Sequence, residues 1–225
     1  MVSDPAPSPE SIRDLLDHGS AGDRLHAINL VRSLPPETAY RLLARAAADN
    51  NVRVRYAAVS QIGTLALPDP AEALALLQKI LREDPEYDVR AAAAAALGDL
   101  KQPQALKDLL EAYAREEEWL VQFSIIAALG ELGNPDALET LVRALEEGSE
   151  LIQTVAAGAL GDLRDRRAIP TLERYLTNSD QQLRYRVCLA LQQIGGEEAR
   201  SGLEQLAQDE DEQIANQARE ALQSL

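Results

Sequence analysis

Cysteine occurs once in this 225-residue chain, at Cys188, which excludes an internal disulfide. Histidine occurs twice, at His18 and His26, too sparse a set to hold a metal ion, so no metal site is expected. Aromatic residues make up only 4%, with one Phe, one Trp and six Tyr. Positive charge is also short: 22 Lys and Arg stand against 37 Asp and Glu, a formal net charge of −15. A nucleic-acid binder gathers cations that release counterions from phosphates, so nucleic acid is a poor partner for this chain. The same surplus of acid disfavours an anionic membrane surface. The most apolar uninterrupted run, Ala91 to Leu97, falls far short of the roughly 18 residues of a membrane span. The first residues, Met1 to Pro5, show no cationic region followed by an apolar stretch, so no secretory signal is expected and a cytoplasmic location is. What the chain has instead is alanine and leucine, together about a third of all residues, a composition that favours helices.

Self-similarity organises the sequence. Aligned on one apolar residue, copies of a short segment begin at Val54, Val89, Val121, Ile152, Leu183 and Ile214, with spacings of 35, 32, 31, 31 and 31. A degenerate earlier copy lies around Asp23 to Leu34. Counting from that residue, offsets four, eight and eleven are nearly always apolar and offset seven is usually alanine, as in Ile125, Leu129, Leu132 and Ala128. These positions share one face of a helix. A second helix accompanies each, as in Asp136 to Leu145, so the unit is a helical hairpin and the fold class is an all-α solenoid of about seven hairpins. Helices are expected near 9–17, 22–33, 37–48, 52–65, 69–82, 87–99, 103–114, 119–132, 135–146, 150–162, 167–176, 181–194, 197–207 and 211–223. Glycines recur at offset nine (Gly63, Gly98, Gly130, Gly161), and Gly133 and Gly195 at offset twelve sit where a left-handed residue would end a helix. The 35-residue copy should carry a wider loop around Leu67 to Pro70 and Glu83 to Glu86. Residues 1–9 read as a proline-rich tail that ends with Ser8 capping the first helix, and 10–225 as one continuous array, since no hairpin buries its apolar face alone.

The face of these helices opposite the core holds the informative residues. Offsets two, five, six and nine would be charged on an ordinary surface helix, yet here they are mostly small or apolar: Tyr56, Val59, Ser60 and Gly63; Phe123, Ile126, Ala127 and Gly130; Thr154, Ala157, Gly158 and Gly161; Tyr185, Cys188, Leu189 and Gln192. Side by side they would form a weakly polar floor dotted with three rings and edged by Arg53, Arg55, Arg90, Arg184 and Arg186. Two readings stand together. The small residues permit close approach of neighbouring helices, and the arginines at offset one, Arg55, Arg90 and Arg184, form a ladder with acids of the adjacent repeat. Alternatively the rings and arginines receive a ligand or partner. Gln122 and Gln153 replace arginine in the middle of that row. Trp119 opens the fourth full unit beside an acidic run, either as packing or as a recognition residue. The candidate binding set is therefore Arg53, Arg55, Tyr56, Arg90, Trp119, Gln122, Phe123, Arg184, Tyr185 and Arg186. Cys188 reads as a small buried thiol with no histidine expected nearby to activate it. Nothing forms a catalytic triad, an acid/base pair or a phosphate-cradling loop, so catalytic residues stay unassigned and the residues describe a binding scaffold.

The unit of about 31 residues, with its Val-Arg-x-x-Ala-Ala-x-Ala-Leu-Gly-x-Leu pattern, resembles the HEAT-like repeats of the phycobilisome (bilin) lyase family. Three stretches carry a narrower likeness: Asn51 to Ser60, Glu118 to Gly130, and Leu183 to Val187 with the downstream Gly195 to Arg200. Together they are similar to the cyanobacterial non-bleaching B (NblB) group of phycobilisome degradation, over almost the whole chain beyond the tail. The resemblance implies a protein that engages phycobiliprotein subunits when the antenna is dismantled, with a degradation adaptor or protease as a further partner. It implies no required cofactor, and the tetrapyrrole phycocyanobilin as a ligand or substrate whose propionates the arginines would meet and whose rings would stack on Tyr56, Phe123 and Tyr185. Two functions remain open: a lyase subunit or bilin-detaching enzyme, and an adaptor without chemistry.

Overall fold

The computed structural model describes residues 8–224; of the expected tail over 1–9, residues 1–7 lie outside them and Pro9 already opens the first helix. The described residues form fourteen α-helices, three short 3-10 helices and no strand. Contacts divide the chain into two units, one ending at Leu100 and one beginning at Lys101. The first holds α1 (Pro9–His18), α2 (Ala21–Leu30), α3 (Pro36–Ala46), α4 (Val52–Ile62), α5 (Ala71–Glu83) and α6 (Tyr87–Leu100). The second holds α7 (Ala105–Tyr113), α8 (Trp119–Leu132), α9 (Leu138–Glu147), α10 (Glu150–Leu163), α11 (Ile169–Glu173), α12 (Gln181–Ile194), α13 (Glu197–Leu206) and α14 (Glu212–Ser224). Within each unit the helices pair as hairpins. The even-numbered, inner helices pack on one another in sequence: α2, α4 and α6 in the first unit, α8, α10, α12 and α14 in the second.

Local chemistry sets these helices. The Ser8 side chain accepts the Ser11 amide at 3.2 Å, capping α1 as expected. Ser20 and Asp23 form a reciprocal capping box on α2, the Ser20 amide donating to Asp23 Oδ2 at 2.9 Å. All fourteen expected helices occur; α4 stops three residues early, α5 and α7 start two residues late, and two helices open with a 3-10 turn. Residues 135–137 and 166–168 are 3-10 turns, because Asn134 and Asp165 accept the amides two residues on, of Asp136 and Arg167, and tighten the first turn. α11 also stops at Glu173, short of the expected 176, as the Arg174 and Tyr175 amides turn to carbonyls three residues back. The wider loop of the longest repeat separates α4 from α5. At offset twelve the backbone has positive φ in four successive copies, Lys101 (50°), Gly133 (64°), Arg164 (54°) and Gly195 (65°), although only two are glycine. The turn is thus a property of the repeat rather than of glycine.

The core follows the repeat register. The aligned residues Val54, Val89, Val121, Ile152, Leu183 and Ile214 are all buried, as are those at offset four, from Ala58 to Ala218. Removing one of the larger ones, such as Ile125 or Leu129, to alanine carries the cost of about 2–5 kcal/mol usual for a buried aliphatic chain.

Candidate functional site: the exposed face of the inner helices

The arginines at offset one come first, because their geometry separates structure from surface. Arg55 donates Nε and Nη2 to the two carboxylate oxygens of Asp84, 29 residues downstream, at 2.8 and 3.0 Å, and Nη1 to the carbonyl of Asp49 at 3.0 Å. Arg184 repeats this with Asp209 at 2.8 and 2.9 Å and with the carbonyl of Asn178 at 2.8 Å. In the degenerate first copy Arg24 pairs with Asp49 at 2.7 Å and donates to the Gly19 carbonyl at 2.9 Å. Each aspartate also accepts the amide two residues on, of Asn51, Glu86 or Asp211, and so fixes the turn that leads into the next inner helix. Bidentate pairing holds Asp209 below the ordinary carboxylate range and pushes Arg184 up. Arg55 and Arg184 are therefore rungs of an inter-repeat ladder, with only 6% of Arg184 exposed. Arg90 donates to the carbonyls of Asp84 and Pro85, and Gln122 to that of Glu116 at 2.7 Å, the same carbonyl position relative to their helices. Arg53 and Arg186 stay exposed.

The small-residue face divides by offset. Offsets five and nine are buried between inner helices: Val59, Ala94, Ile126, Ala157 and Cys188, with the recurrent glycines. A Cβ on Gly130 would lie 2.7 Å from the Ala159 Cα, and one on Gly161 or Gly63 equally close to Ala190 or Ala96. These glycines exist so that adjacent inner helices can touch. Offsets two and six remain accessible except at Ala91, which is buried, and Gly158 differs from the packed glycines: a Cβ there meets nothing within 4 Å.

That opening is the floor of a trough of about 150 Å³ in the second unit. Phe123, Ala127 and Glu131 of α8 form one side, Thr154, Val155, Gly158, Ala159 and Asp162 of α10 the other, and Arg186 of α12 reaches in. The structure thus brings Phe123 and Arg186 together. Trp119, one turn before Phe123 on the same helix, is 56% exposed; Tyr185 is half-buried. Arg53, Arg55, Tyr56 and Arg90 belong to the first unit, where Tyr56 is 48% exposed. Glu131 and Asp162 were not among the candidates, although their signal was present: they stand at offset ten, one turn beyond the stripe at offsets two and six. Leu151, 45% exposed, was missed because it precedes the aligned residue. Cys188 is fully buried, and burial pushes its thiol up to about 12. Among the described residues no three His, Cys, Asp or Glu are grouped to hold a metal ion, and no helix is long and apolar enough to cross a membrane.

The repeat geometry agrees with the sequence profile of HEAT repeats, which matches residues 9–97, 74–160 and 144–223. The chain belongs to the HEAT-repeat family. Among solved structures this HEAT-repeat chain is similar to one in the complex of CpcE and CpcF of phycocyanin lyase from Nostoc sp. PCC7120, with 21% identity, 99% of this chain and 96% of that chain covered, and a TM-score of 0.64. It is also similar to YibA of Escherichia coli (15% identity, 97% and 93% covered, TM-score 0.63) and to an engineered protein (19%, 96% and 67%, 0.57). At such identities the likeness is one of fold. A comparison with curated proteins gives no match.

Proposed function

We propose that this HEAT-repeat chain binds phycobiliprotein subunits through the trough along α8 and α10, and acts where the phycobilisome is dismantled. The observation that carries the reading is the open depression at Gly158, walled by Phe123 and reached by Arg186, on helices whose other glycines pack against the neighbouring inner helix. The sequence likeness over Glu118 to Gly130 falls on the same helix, and the lyase complex from Nostoc shares the fold over nearly the whole chain. The trough does not fit an enclosed bilin: its 150 Å³ is below the roughly 300–1,000 Å³ of sites that surround a small molecule. Two of the arginines expected to meet propionates are also committed to Asp84 and Asp209. Docking of a protein surface is therefore favoured over detachment of the bilin by this chain alone. A lyase subunit is the second reading, supported by the two proteins in the Nostoc complex, and in it a partner chain would complete the bilin site.

Capture of apo- and holo-phycocyanin subunits by the immobilised chain tests this. The proposal expects both forms to be retained, and Phe123→Ala to weaken retention about tenfold or more, the effect of losing a central ring from an interface. Retention of the holo-form alone would transfer the function to bilin handling, and retention of neither would reject the proposal.

A further inference from the structure

Successive inner helices touch through a repeated pair of small residues, a glycine at offset nine of one copy against an alanine at offset seven of the next: Gly63 on Ala96, Gly130 on Ala159 and Gly161 on Ala190. The junction of α2 and α4 departs from that rule. Arg24 fills the ladder position at offset one, so offset nine of the first copy is Arg32. Offset seven of the next copy is Gln61, where the five later copies all carry alanine. Two long polar side chains thus stand where other copies place a glycine and an alanine. An open cavity of about 410 Å³ occupies that junction, lined by Val31 and Arg32 of the 3-10 turn that continues α2 and by Ser60, Gln61, Thr64 and Leu65 at the end of α4. Its volume falls within the roughly 300–1,000 Å³ of small-molecule sites.

Gln61 is the informative member. Only 8% of it is exposed, and among the described residues its carboxamide has no hydrogen bond. Neither amide atom is sealed off, so the group opens into the cavity it lines. An amide without a partner gains nothing from burial, and glutamine is a poorer helix former than the alanine of the later copies. Neither packing nor propensity places it there; a ligand would. The Arg32 guanidinium also has no ion pair or hydrogen bond among the described residues. Its position in the last turn of a helix accounts for a positive charge, but not for the amide that shares its cavity.

The donors define what the cavity takes. Ser60 Oγ donates to the Tyr56 carbonyl and Thr64 Oγ1 to that of Gln61, each at 2.8 Å, so both hydroxyl protons are committed. The Thr64 and Leu65 amides are committed to the carbonyls of Gln61 and Ile62. The side-chain N–H groups left over are those of Arg32 and Gln61, which reach one space from two helices. A carboxylate accepts from both at once, while Val31 and Leu65 offer an apolar wall. The carbonyl ends of the two helices repel an anion, so the charge of Arg32 is indispensable.

We propose that this cavity binds a carboxylate carried on a short apolar body, its oxygens held by Arg32 and Gln61. The site lies in the first unit and is independent of the trough in the second.

The test uses the full chain labelled with 15N and follows the side-chain amide signal of Gln61. Its assignment comes from Gln61→Ala, a variant that restores the residue of the later copies and so keeps the fold. Butyrate is the probe, with butyramide, butylammonium and sulfate as controls at constant ionic strength. The expected result is a saturable shift with butyrate, with the three controls at least tenfold weaker. Arg32→Gln keeps an amide donor and removes the charge; it should weaken butyrate tenfold or more at an unchanged helical spectrum. No saturable shift, equal affinity for any control, or full affinity in Arg32→Gln would overturn the proposal. A glycine–serine peptide ending in leucine separates two sources of the same group. Tighter binding of its free-carboxylate form than of butyrate assigns the site to a chain end, and weaker binding assigns it to a small molecule.

Discussion

Cys188 shows how far burial decides a residue's chemistry. Its side chain lies wholly inside the second unit, and burial first, then the charge of Asp209, pushes the thiol from the ordinary 9.0 up to about 12. A thiol held protonated is not a nucleophile, so a disulfide reagent at pH 8 should leave the native chain unmodified and label it once urea unfolds it. The sign of the pH effect follows from the raised value: the unfolded thiol loses its proton above about 9 while the folded one keeps it up to about 12. Stability from this group is therefore complete below pH 9 and falls above it by about 1.4 kcal/mol per pH unit. Urea melts of the wild type and Cys188→Ala at pH 8 and 10 should diverge in that direction; parallel behaviour would place the thiol in contact with water. The arginines make the complementary point. Arg53 and Arg55, or Arg184 and Arg186, are two residues apart and chemically identical, yet one of each pair is a ladder rung and the other is exposed. Sequence left both readings open because each rung's acid lies 29 or 25 residues downstream, at a distance only the stacking of hairpins defines.

Helices and their junctions were the most legible level. The period near 31 and the apolar offsets placed all fourteen helices, since burial at offsets zero and four repeats in every copy. The two 3-10 starts were not legible, because a side chain accepting the amide two residues on leaves the apolar pattern unchanged. Glycine meaning was legible only in part. Gly130 and Gly158 both sit within inner helices, but the first touches Ala159 and the second faces open space. Chemical denaturation should therefore give opposite signs: Gly158→Ala gains about 0.5–1 kcal/mol of helix stability, while Gly130→Ala loses stability as α8 and α10 are forced apart. Equal signs would contradict the assignment of the first as floor and the second as contact. The ladder has its own test. Asp209→Asn leaves the buried Arg184 guanidinium with only the exposed Glu210, 3.7 Å away, as a charged partner and should cost about 3 kcal/mol, more than an exposed pair such as Lys107 with Glu111 could show. The pair also predicts weakening in acid, since the depressed Asp209 stabilises the fold above the normal carboxylate range and loses that contribution as pH falls toward its folded value.

Considered as a molecule, the chain combines a net charge of −15 with an open trough on its second unit and Arg186 at that trough's side. The acid surplus steers cationic partners toward it and away from phosphates and anionic surfaces. Repeats and fold class were readable from spacing, and the HEAT-like character of the repeat from its resemblance to a known family. The trough was readable only in outline: Phe123 and Arg186 were marked by residue type, whereas the floor at Gly158 depended on which small residues packing consumes. The claim on which the rest turns is that this trough docks a phycobiliprotein partner. Titration calorimetry of phycocyanin subunits into the wild type and into Gly158→Leu tests it most directly. The account predicts binding by the wild type and at least tenfold weaker binding by the filled variant at unchanged helical content; equal affinity for both would contradict it.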